Sequence, residues 1–352
     1  MSRSLRTLPA PLAPGVRIVL IVWYGEGMAS QANRRATVPI TVVTGACEAT
    51  RWAIADALAS PDGVVVSAHA PPVSVGARVV DVAEETFRTN PDCPCCAVRF
   101  DLLSVIPVLA CSHRPLTRIV VAAGEDSDVA LVAQTLLASS EVERLAELDA
   151  VVVIVDGRRA SARLATAQPL AGSAGAADQL ALADHLVVTG SEDLTADALA
   201  AVSSELRRCN PLSLLWLTEA SELDTTRLTG VRSFDLATVA QRSSRPVPPA
   251  PPLDPDQPGT VVIELAGDLD GDLLRGWLGR LIEHHGHDLL RLQAVFQVRQ
   301  SASRRVCSGV RTTIAWGDEA ASAPGGSGSR ALLVGRRLDA DLVRTWLAEA
   351  RA

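Results

Sequence analysis

The chain contains no lysine; all 33 basic residues among its 352 are arginines. Chemistry that needs a lysine amine is therefore excluded, including the amine that a P-loop sets against the β,γ-phosphates of a nucleotide. Aromatic residues are scarce too, at 3% against 48% hydrophobic residues overall. The core must then be built from Ala, Val and Leu, which suits an α/β protein with buried parallel strands. The net charge of −7 contains no basic block, so an electrostatic grip on bare nucleic acid is excluded. A folded ribonucleoprotein remains open as a partner, because protein surfaces can supply that contact. Long hydrophobic runs are missing as well. Val16 to Tyr24, behind Arg3 and Arg6, is too short to span a bilayer. Residues 1–35 read as a disordered or mis-called extension, with Met28 a candidate start.

Seven cysteines are an odd number, and four of them (Cys47, Cys111, Cys209, Cys307) are widely scattered. That is not a secreted disulfide framework, and it points to a reducing, cytoplasmic compartment. Scattered cysteines behave as small buried hydrophobes. The other three are packed into Asp92-Cys93-Pro-Cys95-Cys96-Ala-Val-Arg99-Phe-Asp101. Thiols this close together are metal ligands or a redox cluster.

The periodicity alternates strands and helices. Val38 to Thr44, Gly63 to Ser67, Arg118 to Ala123, Ala150 to Val155, Leu186 to Thr189 and Leu212 to Leu217 read as strands. Helical spacing falls on Trp52 to Ser60, Leu102 to Cys111, Val129 to Ser139, Ala176 to Asp184 and Thr195 to Cys209. This alternation predicts a doubly wound, Rossmann-like α/β sheet over residues 36–242. Residues 243–259 hold seven prolines and read as an extended linker. Residues 260–352 read as a small α+β domain. Its strands are placed at Thr260 to Leu265, Leu290 to Val298, Arg305 to Thr313 and Ala331 to Gly335, and its helices at Leu273 to His284 and Asp339 to Ala350.

The order of motifs resembles the CobW-type P-loop GTPases, a family of metal-insertion proteins and metallochaperones, over roughly residues 36–352. Cys93-Pro-Cys-Cys-Ala-Val-Arg-Phe-Asp-Leu is similar to the family's Cys-x-Cys-Cys motif. Val153-Ile-Val-Asp156, Gln179 with Ala183-Asp184, Asn210-Pro211 and Ser329 to Asp339 follow in the family's order. The resemblance implies a P-loop domain, a CobW C-terminal-type domain, and vestigial nucleotide-binding positions at Gly45, Arg51, Asp156 and Asp193.

The phosphate loop departs from the family pattern. In Gly45-Ala-Cys-Glu-Ala-Thr-Arg-Trp52, Glu48 and Thr50 replace glycines whose backbone would close around phosphates. Arg51 stands in the lysine position, and Trp52 in that of the Mg²⁺-holding hydroxyl. The family's Glu-(Thr/Ser)-Gly reads Ala122-Ala-Gly124, and the guanine-reading Asn-Lys-x-Asp reads Thr189-Gly-Ser-Glu-Asp193. GTP and Mg²⁺ are therefore not expected as cofactors.

Zinc is the expected metal at Cys93, Cys95 and Cys96, since thiolates suit a soft ion. Zinc usually takes a fourth ligand, for which His69 is a candidate; the family's Glu near this loop is missing. Arg99 and Asp101 are expected to fix the loop by ion pairing. His284, His285, His287 and Asp288 could ligate metal, but they fall where the Leu273 helix should end. There Gly286 reads as a C-cap, and the histidines would complement the helix dipole. The expected function is a CobW-like protein without GTPase activity that binds or senses zinc and regulates a protein partner. Divergent actinobacterial relatives with decayed loops act on the ribosome under zinc starvation, by remodelling or hibernation, and the resemblance permits that partner here. The rival readings are a GTP-dependent zinc metallochaperone with an altered loop and a metal-free structural adaptor.

Overall fold

The structure is a computed structural model describing residues 21–23, 37–72, 74–87, 100–112, 114–218, 222–242, 247, 257–301, 303–319 and 328–351. Within residues 1–35 it describes only β1 (Ile21–Trp23). The first unit then runs β2 (Val38–Gly45), α1 (Glu48–Ala59), β3 (Val64–Ser67), β4 (Arg78–Asp81), α2 (Phe100–Ala110), β5 (Ile119–Ala122) and α3 (Val129–Ala138). It continues with α4 (Ser140–Leu145), β6 (Ala146–Asp156), α5 (Gly157–Ala165), α6 (Ala174–Leu182), β7 (His185–Thr189), α7 (Ala196–Cys209), β8 (Leu214–Leu217) and α8 (Leu236–Arg242). Its seven strands form one parallel sheet in the order β4-β3-β5-β2-β6-β7-β8. The expected doubly wound P-loop-like domain is present.

The parallel strands are Val- and Ile-rich and buried on both faces, as crossover helices require. Trp52, Ile54, Ala55 and Leu58 of α1 cover one face with Val43, Val120 and Val187. Apolar residues of α2, α3, α6 and α7 cover the other, against Val42, Val121, Val153 and Val188. β6 begins four residues before the expected Ala150, because the register slips around Asp149. Asp149 is 1% exposed, and its carboxylate accepts from Arg118 Nη1 (2.8 Å), Gly230 N (2.9 Å) and Arg232 N (3.1 Å). A buried charge breaks the apolar run in sequence, while three donors make it tolerable in space.

The second unit runs β9 (Gly259–Leu265), α9 (Gly271–His285), β10 (Leu289–Gln297), β11 (Arg304–Val310), β12 (Thr313–Glu319), β13 (Ser329–Gly335) and α10 (Ala340–Glu349). The strands lie in the order β1-β12-β11-β10-β13-β9; β1 is parallel to β12, and the other pairings are antiparallel. This is the small antiparallel-sheet domain expected after the proline-rich stretch. Its expected strand Arg305 to Thr313 is corrected to a hairpin that turns at Arg311-Thr312. No glycine or asparagine marks that turn, although Arg311 sits at φ +52°, where such residues are favoured.

The two units share core and charge. Leu290, Val310, Leu332 and Val334 of the second sheet belong to the same apolar cluster as α3 and α6. Three arginines cross the junction: Arg291 to Asp184 (3.0 Å), Arg311 to Asp128 (2.8 Å) and Arg336 to Asp178 (2.6 Å). Breaking one partner of a buried pair typically costs about 3–5 kcal/mol.

Candidate functional site

In an open parallel sheet, ligands are taken at the carboxyl ends of the strands where the crossovers change direction. β2 and β6 meet there. Gly45 closes β2 at φ +103°, and a Cβ on it would lie 2.2 Å from Ile154 O. Only glycine allows that approach. The next amide, Ala46 N, is bonded to Ile154 O (3.0 Å) instead of facing a ligand. α1 then begins at Glu48, three residues after Gly45, with Cys47 as N-cap at φ +67°. Glu48 in the first turn favours this early start, because a carboxylate complements the positive end of the helix dipole. The stretch that would cradle phosphates has wound into helix.

Arg51 bonds back to the start of the loop. The residue is 8% exposed, and Nη1 donates to Gly45 O (3.1 Å), with Glu48 4.0 Å away. Burial lowers its pKa, against the attraction of Glu48 and Glu125. Trp52 is 1% exposed in the core and faces no metal position. Asp156 ends β6, but its Oδ1 accepts from Arg159 N (3.1 Å) and so serves as the N-cap of α5. Arg159 in turn pairs with Glu125 (2.7 Å) in the loop after β5. Gln179, 2% exposed on α6, donates from Nε2 to Glu125 O (2.8 Å) and Ser127 O (2.9 Å) and so pins that loop.

An exposed ion pair lies beyond β7. Asp193 pairs with Arg158 (2.6 Å), whose side chain lies across Gly190. Gly190 is at φ +65°, and a Cβ there would sit 3.1 Å from Arg158 Nε. The cavity between Gly45, Asp156, Arg159, Gly172 and Gln179 measures about 60 Å³. Pockets that hold drug-sized ligands usually exceed about 300 Å³. Arg158 was not legible as a site residue; its only signal was a place two residues beyond Asp156.

Cys93, Cys95 and Cys96, with Arg99, lie outside the described residues. The two ends of their segment are described and held together. Phe87, 3% exposed, accepts at its carbonyl from Asp128 N (2.9 Å), and Thr86 Oγ1 donates to Asp101 Oδ2 (3.3 Å). The segment therefore leaves and re-enters beside the N-terminus of α3. His69 is exposed, with its backbone N–H bonded to Ser67 Oγ (3.2 Å). Among the described residues no group of three His, Cys, Asp or Glu side chains is placed to hold a metal.

That finding covers the cluster at His284, His285, His287 and Asp288. His285 is 8% exposed and lies near Trp346, ring centroids 6.2 Å apart. Burial, then His284, lowers its pKa. Gly286 does follow α9, but at φ −58° and not in the left-handed region. Its reason is space, since a Cβ would meet Ile282 O at 2.4 Å. Of the scattered cysteines, Cys307 is buried, Cys209 is half-buried, and Cys47 and Cys111 are exposed. Burial pushes the Cys209 thiol up to about 11, which leaves it unreactive.

Two family models match this chain. CobW/HypB/UreG, nucleotide-binding domain, matches residues 64–215, beginning beyond Gly45–Trp52. Cobalamin synthesis protein cobW C-terminal domain matches residues 259–351. Among solved structures, the Zn(II)-bound YjiA GTPase from E. coli is similar at TM-score 0.68 and 16% identity, covering 90% of this chain and 100% of that one. A Zn(II)-bound triple mutant of YjiA GTPase, with a glutamate and two cysteines replaced by alanine, is similar at TM-score 0.69 and 15% identity, over the same shares. At these identities the structures speak for the fold. Together with the two sheets and their order, the matched models show that the chain belongs to the CobW family, with a CobW/HypB/UreG nucleotide-binding domain followed by a CobW C-terminal domain.

Proposed function

We propose that this CobW-family protein handles zinc without hydrolysing GTP, taking the metal at Cys93, Cys95 and Cys96 and changing its contacts with a protein partner as the metal comes and goes. One observation carries the reading: Arg51, in the place of the nucleotide-gripping lysine, is buried and bonded back to Gly45 O, on a loop already wound into α1. An arginine held there is turned onto its own loop and largely withdrawn from solvent. Arg158 on Asp193 supports the same reading at the base end.

Three thiols within four positions are the donor chemistry that zinc accepts, and thiolate, not thiol, is the ligand. Bound there, zinc would supply a structural cross-link, with His69 the candidate fourth ligand. The structurally similar YjiA GTPase has been solved with Zn(II) bound, which makes zinc the metal to test first. The ribosome is the partner we propose to test first, in a remodelling or hibernation role under zinc starvation.

The test is nucleotide binding and zinc content on one preparation, beside a Cys93→Ser/Cys95→Ser/Cys96→Ser variant. The reading expects zinc lost in the variant and no saturable GTP binding in either protein. Turnover of GTP that depends on residues 45–52 would replace it with a GTP-driven metallochaperone. Equal zinc in both proteins would mean that the cluster is not a site, and no zinc in either would leave a metal-free adaptor. Co-sedimentation with ribosomes in low and high zinc tests the partner, and absence under both conditions removes it.

A further inference from the structure

β12 (Thr313–Glu319) lies at one side of the C-terminal sheet, and both of its faces are covered. Ile314 and Trp316, 0% and 2% exposed, share a core with Leu274 and Trp277 of α9 and Val343 and Leu347 of α10. Ala315 packs on the other face against Leu236, Val239 and Ala240 of α8. What β12 offers a neighbour is therefore its backbone edge. Val310 and Thr313 close the two-residue turn to β11, and bonded and non-bonded pairs alternate from there. Ala315 then directs its N–H and C=O at Ser308 of β11, while those of Ile314 and Trp316 point outward.

β1 (Ile21–Trp23) meets that edge, with Ile21 opposite Ile314, Val22 opposite Ala315 and Trp23 opposite Trp316. A parallel ladder in this register directs Val22 N–H toward Ile314 O and Val22 O toward Trp316 N–H. The pairing is unlike the rest of the sheet. It is parallel where the other pairings are antiparallel, and it joins opposite ends of the chain. It is also short: β1 has three residues and β12 has seven. Among the described residues, 313 and 317–319 have no strand partner on this edge. Edges that stay open are commonly guarded by charge. The opposite edge strand, β9, carries Glu264, whose side chain is 72% exposed. Residues 314–316 carry no charge at all.

We propose that the β12 edge is a strand-acceptor site for an extended, apolar segment of a partner protein, and that β1 covers this site in cis. β1 shows the chemistry that fits: uncharged β-branched and aromatic residues running parallel to β12. A partner strand as long as β12 would pair the whole edge, and main-chain hydrogen bonds would supply its affinity. A second copy's β1 would bring the same three residues and lose the high effective concentration of the cis contact, so it gains nothing by exchange. Release of β1 opposes the partner, lowering its apparent affinity by the fraction of chains whose edge is open. The site is independent of the zinc and nucleotide readings.

The test uses the full chain and follows single amides by hydrogen-exchange NMR. In wild type, Trp316 N–H should exchange about 10-fold or more faster than Ala315 N–H, because β1 opens locally while β11 holds. Val22→Pro removes the N–H that faces Ile314 O. It should speed Trp316 further and leave Ala315 unchanged. A fluorescein-labelled peptide of residues 17–27 should bind Val22→Pro about 10-fold or more tighter than wild type. Binding should slow Trp316 exchange again, and the same peptide carrying Val22→Pro should not bind. Equal Trp316 and Ala315 rates in wild type would make β1 a fixed part of the sheet and overturn the proposal, a result that does not depend on the variant folding. No peptide binding to Val22→Pro, or equal affinity for both proteins, overturns it as well. A wild-type dimer that Val22→Pro abolishes, read by analytical ultracentrifugation, would assign the edge to a second copy and overturn the partner reading.

Discussion

Replacing Arg291 with methionine tests whether the two domains are held by buried charge. Arg291 and Asp184 have side chains 3% and 5% exposed, and Nη1 lies 3.0 Å from Asp184 Oδ1. The guanidinium also donates to Leu182 O (3.4 Å) and Ser233 O (3.3 Å) and stacks over Phe234 at 4.8 Å. Methionine fills much of the volume and removes every donor. Asp184 then keeps only Val151 N (2.8 Å) and Ser233 Oγ (2.9 Å) on its other oxygen. An uncompensated buried charge costs about 3–5 kcal/mol. Since two donors remain, the lower end applies, about 3 kcal/mol out of a total near 5–15 kcal/mol. Urea unfolding at pH 7, followed by circular dichroism and tryptophan fluorescence, measures this. Adding Asp184→Asn should recover at least half of the loss, because the stranded charge is gone. A cost under about 1 kcal/mol for Arg291→Met, or no recovery in the double variant, would refute the reasoning.

Two groups give opposed pH responses. Burial raises the Asp178 carboxyl from 3.8 to about 6 despite Arg336, so its contribution is full below 3.8 and is lost as pH rises through about 6. Burial lowers His185, whose Nδ1 accepts from Trp216 Nε1 (3.0 Å), so its contribution is present above 6.5 and is lost on acidification. Asp178→Asn should therefore leave a profile that falls more steeply below pH 6.5 than wild type, as read from melting temperature against pH. His185→Phe should do the reverse; unchanged profiles in both would contradict these assignments. Glycines divide by the space around them. Gly45→Ala should cost about 3 kcal/mol, because the new Cβ meets Ile154 O at 2.2 Å. Gly276→Ala and Gly279→Ala, with nothing within 4 Å on α9, should each add about 0.5–1 kcal/mol by thermal melts.

The α/β alternation was legible because parallel strands read as unbroken Val and Ile runs, as at Val64–Ser67 and Ile119–Ala122. α5 escaped because Gly157-Arg-Arg-Ala-Ser-Ala-Arg-Leu-Ala has few apolar positions, burying only Gly157 and Ala160. α4 and α8 are too short, at six and seven residues, for periodicity to declare them. The β11–β12 turn escaped because its residue choice answers to Asp128, 183 positions away, and not to local turn chemistry. At the site, the departures Glu48, Thr50, Arg51 and Trp52 were plain in the sequence. What the structure adds is where the replacements go: Arg51 onto Gly45 O, and Arg158 onto Asp193. Such contacts depend on side chains meeting across loops, which spacing does not encode.

The central claim is that the thiol segment still takes zinc while the nucleotide end has closed. It is tested most directly by titrating GTP into the protein and assaying its metal content in the same sample. The account predicts about one zinc per chain, lost with Cys93, Cys95 and Cys96, and no saturable GTP binding. GTP binding with turnover that falls when residues 45–52 are altered would contradict it.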